Sequence, residues 1–497
     1  MLKKIRSNWQ VLLCIILYEL IAFSIFLKPH YVHDTYLSYA RGFDGREFLL
    51  LQGRVAMYWF DELFNFLGWS VSQVQLISVI LSMLFLALAA FLVYLLINER
   101  AKIEKNVCAM LISIVVSIGI ITTMYNVEWL LYVETAVTCC GVFASLLATY
   151  YLLEMKKIIK YLFATILFCL SVFCYQASIA IGGAVLTLFT IYDNKDSILT
   201  ILKKLILNMI PYGIALISNL VYSKLINAGA GDYRVSGTVD ILYNIKKTIQ
   251  ALGSSIVYTY GFLPKGLMLW LTLIVVFITI NFLISNRKSI MEPIKIIAYM
   301  CFAYGSLIVL SVMPMQAMSS ELIYFMPRSI PFIAATFTFT CLICLLFAEN
   351  MFLKNKLIRV LVIGHFVLTT MLIINIQSQN MQNSTRDMLI GNIIHQNIIN
   401  YENENGIEID TIILLPDNRV EWTSPNIHAF SDATARAFLS DWSSSAIMQA
   451  ITDRNFIFKT GTSGERYEIF ADLPDDQTDF NINQLKFENN ILYMLLY

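Results

Sequence analysis

Apolar residues are gathered into eleven runs, each closed off by polar or charged positions: 9–27, 74–97, 107–124, 129–153, 158–174, 177–192, 205–226, 267–284, 296–313, 329–348 and 360–377. A helix needs about 20 apolar residues, at ~1.5 Å each, to cross a hydrocarbon core of ~30 Å. Read as one helix, 158–192 would extend roughly 52 Å, too long for a single crossing, so the pattern predicts a break at Tyr175-Gln176. The chain is thus expected to be an all-α polytopic membrane protein with about eleven transmembrane helices.

The polar intervals assign the sides. Three basic residues stand in each of six alternate segments: Lys3, Lys4, Arg6; Arg100, Lys102, Lys105; Lys156, Lys157, Lys160; Lys195, Lys203, Lys204; Arg287, Lys288, Lys295; and Lys354, Lys356, Arg359. The intervals 125–128 and 175–176 hold none, and 314–328 holds only Arg328. Lys and Arg collect in cytoplasmic loops, which predicts a cytoplasmic N-terminus and an outer C-terminal tail. Merging 158–192 into one span would reverse every later loop. The predicted layout is a membrane domain, 1–377, with external loops 28–73 and 227–265, followed by an extracytoplasmic domain, 378–497.

Within the first outer loop, Phe43 to Leu67 mixes Phe, Leu, Met and Trp with Arg46, Glu47, Arg54, Asp61 and Glu62, the pattern of an amphipathic helix lying on the membrane. Trp59 and Trp69 suit its headgroup zone. The tail differs. Thr411 to Leu415 followed by Pro416-Asp417-Asn418 predicts a strand and turn, Asp432 to Ile451 a helix, and Tyr467–Phe470 and Ile491–Leu496 further strands. A small α/β domain follows from this. No inverted repeat of the transporter kind is visible.

Composition agrees with a lipid solvent. Of 497 residues 58% are hydrophobic and 14% charged, against roughly 45–50% and 25% in soluble domains. Net charge is zero, which leaves nothing to attract nucleic acid. All nine cysteines lie in apolar runs; even Cys341 and Cys344, at CxxC spacing, read as small apolar filler without His partners, so no metal site is expected. His395 and His428 stand alone. The basic start and Val11–Leu27 imitate a signal peptide, but Lys28-Pro29-His30 follows where a cleavage site would be, predicting an uncleaved first helix. No Walker, GxSxG, HExxH or dinucleotide motif occurs in a plausible context, and no cofactor is implied.

The candidate chemistry gathers at the outer ends. Asp34 follows the first span by seven residues, where a carboxylate can act as general base on an acceptor hydroxyl. Arginines of the same loop are suited to holding a phosphate through charge-assisted bonds. A solvated loop with local ion pairs has the same composition. Glu134 is expected about a turn and a half inside the fourth span, where a carboxylate faces either a cavity or a polar neighbour. Tyr175-Gln176-Ala177-Ser178 either bonds a sugar or satisfies backbone at a tight turn. Arg328, after Met326-Pro327, either pairs with a lipid phosphate or anchors the interface; Arg234 carries a weaker version of that argument.

The pattern His33-Asp34, Arg41-Gly42, Gly53-Arg54 resembles the first outer loop of the bacterial Gtr-type (type II) glucosyltransferases. Tyr175-Gln176-Ala177-Ser178 and Pro327-Arg328-Ser329 are similar to that family's outer turn and late Pro-Arg element. The resemblance implies a GT-C-like glycosyltransferase of the bacterial inner membrane, taking a sugar (glucose by the family's name) from a polyprenyl-phosphate donor. The acceptor would be a surface polysaccharide such as an O-antigen. It implies Asp34 at the acidic position, Arg41, Arg54 and Arg328 toward the donor phosphate, and His33, Tyr175 and Gln176 toward sugar or acceptor. The family often pairs two acids; here the first is His33, so either Asp34 suffices or Asp44 contributes, with Glu134 a third candidate. A flippase or exporter of lipid-linked sugars, or a polysaccharide polymerase, shares the topology, although a flippase would scatter polar residues along several spans.

Overall fold

The computed structural model describes residues 2–101, 107–195, 197–227, 239–257, 264–285, 291–317, 320, 326–415, 433, 438, 441–473 and 480–495. Each of the eleven apolar runs contains helix, although 107–124, 129–153 and 329–348 are broken into shorter pieces. Among the described residues, length and apolarity sufficient to cross a membrane hold for seven helices, or eight if Val107–Ile121 and Met124–Leu130, bent by 43°, form one span. Trp9–Ala22, Ile159–Cys174 and Pro331–Phe347 are shorter apolar helices. The chain is a helical membrane protein carrying a small C-terminal sheet.

Helices Val71–Arg100, Thr135–Glu154 and Ile179–Asp193 are the most enclosed. Small residues permit this: a Cβ on Gly182 would lie 2.7 Å from the Ser145 carbonyl oxygen, and Thr149 Oγ1 donates to the Gly182 carbonyl at 2.8 Å. Such close backbone approach is how helices associate where lipid removes the hydrophobic drive. At one end of the bundle, ion pairs join elements expected on one side: Lys4 to Glu99 (2.5 Å) and Glu154 (3.0 Å), and Arg100 to Glu154 (2.7 Å) and Asp193 (3.0 Å).

The last apolar run does not stop at 377. Its helix continues from Lys356 to Asn405, 50 residues or roughly 75 Å, and ends where Gly406 adopts φ +68°. Its first half lies along the first span: Gln377 Nε2 donates to the Ala22 carbonyl at 2.6 Å and Tyr18 hydrogen-bonds Thr370. Its second half supplies Ile390, Ile394 and Ile398 to the core under the sheet. The expected domain boundary at 377/378 therefore falls inside one continuous helix.

The sheet has strands β1 (Thr411–Leu415), β2 (Ile457–Thr460), β3 (Leu485–Glu488) and β4 (Ile491–Leu495) in the order β2-β1-β4-β3. β1 runs parallel to β2 and β4, and β3 pairs antiparallel with β4. The expected strands at 411–415 and 491–496 are present to within a residue. The expected strand at 467–470 is instead the end of helix Ser463–Ile469, started by a capping box between Thr462 and Glu465. The helix expected over 432–451 occurs as Asp441–Thr452; Pro416-Asp417-Asn418, Asp432, Arg234 and His428 lie outside the described residues.

The first outer loop joins both halves. Asp34 and Arg41 lie on helix His33–Arg41, whose Tyr36 is buried in the same core as Ile394, Phe438, Ile447 and Met448. The single amphipathic helix expected over 43–67 is two helices, Phe48–Leu51 and Val55–Phe66, separated at Gly53 with φ +73°. Val55–Phe66 turns Trp59, Leu63 and Phe66 outward and buries Met57, Asp61 and Phe64, so one face is apolar and exposed while one acid points into the protein.

Candidate functional site

Gln52-Gly53-Arg54 crosses the end of the bundle predicted to face outward, under a clamp of amides. Gln176 Nε2 donates to the Gln52 carbonyl at 2.6 Å, and Asn219 Nδ2 donates to the Gly53 carbonyl at 2.9 Å. This places the Arg54 guanidinium 4.9 Å from the centre of the Tyr175 ring, a cation–π stack. The Arg54 Nε is buried with no hydrogen-bond partner among the described residues. A buried N–H left unpaired costs free energy until something accepts from it.

Arg328 approaches from a separate segment whose backbone is held independently. Its main-chain N–H donates to Glu128 Oε2 at 2.9 Å, and its carbonyl accepts from Trp129 Nε1 at 2.9 Å. Its guanidinium donates to the Tyr132 hydroxyl and lies 5.0 Å from that ring's centre. Burial opposes the charge of Arg328, yet Tyr132, Glu128, Tyr175 and Asp34 together raise its pKa above the usual value.

Both arginines line one cavity of about 320 Å³, with Tyr175, Gln176, Gln52 and Asn219 at the polar end. The remaining wall is largely apolar, with Val172, Leu216, Ile217, Leu220, Met313 and Met326 beside Ser223 and Ser329. Among the described residues no carboxylate lines it. Ile217 and Met313 are 63% and 46% exposed on the outside of the bundle, so the cavity is walled by residues that also face outward. Two guanidiniums beside a largely apolar wall suit an anion attached to a hydrocarbon chain.

Asp34 stands in the first turn of helix His33–Arg41, exposed, and close enough to act on the charges of both Arg46 and Arg328. It does not line the cavity. Neither do Arg41 and Asp44, both exposed. The His33 side chain lies outside the described residues. Glu134 is not inside a span: helix Thr135–Glu154 begins one residue later and Glu134 is its N-cap residue, because 124–134 is a bent segment rather than continuous helix. There Glu134 pairs with Arg46 at 2.9 Å. Among the described residues no group of three or more His, Cys, Asp or Glu is placed to hold a metal.

The expected residues therefore divide. Arg54, Arg328, Tyr175 and Gln176 meet at the cavity; Asp34 lies within their field; Arg41 and Asp44 stay apart. Sequence reading missed Asn219, whose signal was an amide within the apolar run 205–226, and Tyr132, Asp61 and the pairing of Arg46, for which it offered no signal.

Gly53 is the most constrained position here. A Cβ on it would lie 2.5 Å from Ser223 Oγ and 2.9 Å from Asn219 Nδ2, at a φ of +73°. Gly53→Ala adds backbone strain of about 1–3 kcal/mol and displaces the loop that carries Arg54. The expected result is a raised KM for a phosphate-bearing donor. Gly68→Ala is the control, having φ +69° with nothing within 4 Å; equal KM values in the two variants would show that strain alone, not the clamp, is at work.

A family model described as Glucosyl transferase GtrII matches residues 23–329, which takes in the first outer loop, the Tyr175-Gln176 turn and Arg328. No curated protein and no solved structure matches the chain.

Proposed function

The chain belongs to the GtrII glucosyl transferase family, and on that premise we propose that it moves glucose from a polyprenyl-phosphate donor to a cell-surface polysaccharide such as an O-antigen. The work is done at the outer face of the bacterial inner membrane, within a GT-C-like domain of eleven spans. The N-terminus is cytoplasmic and the sheet domain extracytoplasmic, as the alternation of basic segments requires.

One observation carries this reading: Arg54 and Arg328 converge on one cavity whose other wall is largely apolar. A donor diffusing in the bilayer enters past Ile217 and Met313, laying its isoprenoid chain against the apolar wall. Its phosphate accepts from the two guanidiniums, Arg54 Nε included. Tyr175 and Gln176 then stand beside the sugar.

The acceptor hydroxyl attacks the anomeric carbon as the bond from that carbon to the phosphate oxygen breaks. The hydroxyl proton passes to Asp34. The leaving polyprenyl phosphate gains negative charge, which the paired guanidiniums are already oriented to stabilise. A single displacement of this kind inverts the anomeric configuration and needs no covalent intermediate. Arg41 and Asp44, exposed on the same loop, and His33 at the start of the Asp34 helix are nearest the side from which a polysaccharide arrives.

The test supplies polyprenyl-phosphate-glucose labelled in the sugar to membranes that contain the chain and their own surface polysaccharide. Label is expected in the polysaccharide, and UDP-glucose added without a polyprenyl carrier should give none. Transfer from UDP-glucose alone, or label that crosses the membrane while remaining lipid-linked, would replace this reading with a nucleotide-sugar transferase or a flippase.

A further inference from the structure

Beside the helix of Asp34, among residues that do not line the cavity, the structure buries a cluster of charges. The Arg46 side chain is 12% exposed and touches three elements at once. It reaches Glu134 Oε1 at 2.9 Å, at the start of a long helix; Asp61 Oδ2 at 3.8 Å, on helix Val55–Phe66; and the Ser38 hydroxyl, on the helix of Asp34. Ser38 in turn donates to the Asp34 main-chain carbonyl at 3.0 Å. Arg46 thus connects the helix that carries Asp34 to the membrane bundle.

The charges of this cluster do not balance. Asp61 is wholly buried and Glu134 nearly so, against one guanidinium. Both Asp61 carboxyl oxygens lack a hydrogen-bond partner among the described residues, and Asp61 and Glu134 stand against the same guanidinium at 3.8 and 2.9 Å. An uncompensated buried anion costs several kcal/mol even after relaxation, so a proton on Asp61 neutralises the excess charge. The charged groups facing Asp61 are Arg46, Glu134 and Glu62. Helix Ile159–Cys174, which also packs on this element, brings only Lys160, from its far end.

We propose that Arg46 is the positioning residue for Asp34, and that Asp61 holds a proton which keeps Arg46 from being drawn wholly into the bundle. While the proton is present, the guanidinium is shared between Glu134 and the Asp34 helix. When alkaline conditions remove it, a second full negative charge competes for Arg46, and its hold on Ser38 slackens. Burial first, and the Glu134 charge second, raise the pKa of Asp61 far above the carboxylate range, in keeping with that order of events. The proton stays bound through neutral pH and leaves only in alkali.

This inference rests on the proposed function, because it assigns Asp34 a reaction to be positioned for. The experiment measures glucose transfer from polyprenyl-phosphate-glucose in membranes, as a function of pH, for wild type, Arg46→Gln, Arg46→Lys and Asp61→Asn. Each variant's amount in the membrane is used to normalise its rate. Arg46→Gln is expected to lower kcat about 10-fold or more with the donor KM within about twofold, since donor contacts are untouched and only the base is misplaced. Arg46→Lys recovers part of this, a single ammonium being unable to span three partners as a planar fork does. Asp61→Asn keeps the neutral hydrogen-donating shape, so it is expected to work within about threefold of wild type at neutral pH and to lose the alkaline fall in rate that wild type shows.

Full kcat in Arg46→Gln, or an alkaline limb unchanged in Asp61→Asn, overturns the inference while wild-type transfer leaves the proposed function standing. A wild type that transfers no glucose from this donor removes both.

Discussion

Asp34→Asn is expected to lower glucose transfer by about 10²- to 10⁴-fold, the range that general base catalysis supplies. The amide keeps the size and shape of the carboxyl group but cannot accept the acceptor's proton. Asp34 is exposed and has no ion-pair partner within the contact distance of any described basic side chain, so the loss is not one of packing. Helix His33–Arg41 is held by other residues: Tyr36 in the core beneath the sheet, and Thr35, which bonds the Val32 backbone. The variant should therefore accumulate normally and bind donor with an unchanged KM. Asp44→Asn in the same assay separates the two acids of the loop. Asp44 is exposed in the turn before Arg46 and lines no cavity, and its amide should transfer within a fewfold of wild type. Wild-type turnover by Asp34→Asn would strike Asp34 from the mechanism.

Arg328→Ala is expected to lower kcat by about 10²- to 10³-fold, as does removal of a single preorganised donor to developing charge. The architecture makes this loss specific. The backbone of residue 328 is fixed at its N–H by Glu128 and at its carbonyl by Trp129, and both bonds survive in alanine. What disappears is the guanidinium over Tyr132 and its charge on the cavity. Arg328→Lys should restore only part of the rate, because an ammonium cannot both bond Tyr132 and hold a phosphate in a fork. Arg328, an arginine whose pKa is raised further by Tyr132, Glu128, Tyr175 and Asp34, keeps its charge through neutral and moderately alkaline pH. An alkaline fall in rate is then not a loss of that charge, which is why the Asp61 variant is diagnostic. A kcat unaltered in Arg328→Ala would mean that the leaving phosphate is stabilised elsewhere.

Gly53 shows where linear reading stops. Its glycine was visible, as were Phe and Leu on either side, and one amphipathic helix over 43–67 was the natural inference from their spacing. The break at φ +73° follows from Asn219 and Gln176, which lie 166 and 124 residues away in sequence from the carbonyls they hold. Glu134 is a similar case. An apolar run extends on both sides of it, so period and composition place it within a span, whereas the chain bends at 124–134 to bring it to Arg46. Tyr467–Phe470 carries strand-forming residues, yet most of it ends helix Ser463–Ile469, where a capping box at Thr462 and Glu465 outweighs them.

Partition between water and lipid is additive over neighbouring residues, and so is the bias of Lys and Arg toward the cytoplasm. The helical membrane class could therefore be read from consecutive positions, and the same positions predict the alternation of sides. The choice of Arg54, Arg328, Tyr175 and Gln176 could be read there too, since polar residues at the ends of apolar runs are few. Pairing is not additive in that way. Which acid meets Arg46, which amide pins Gly53, and how Arg54 and Arg328 come to share one cavity depend on contacts between segments 80 to 270 residues apart. Burial gives those contacts their strength, and burial exists only after the helices have packed.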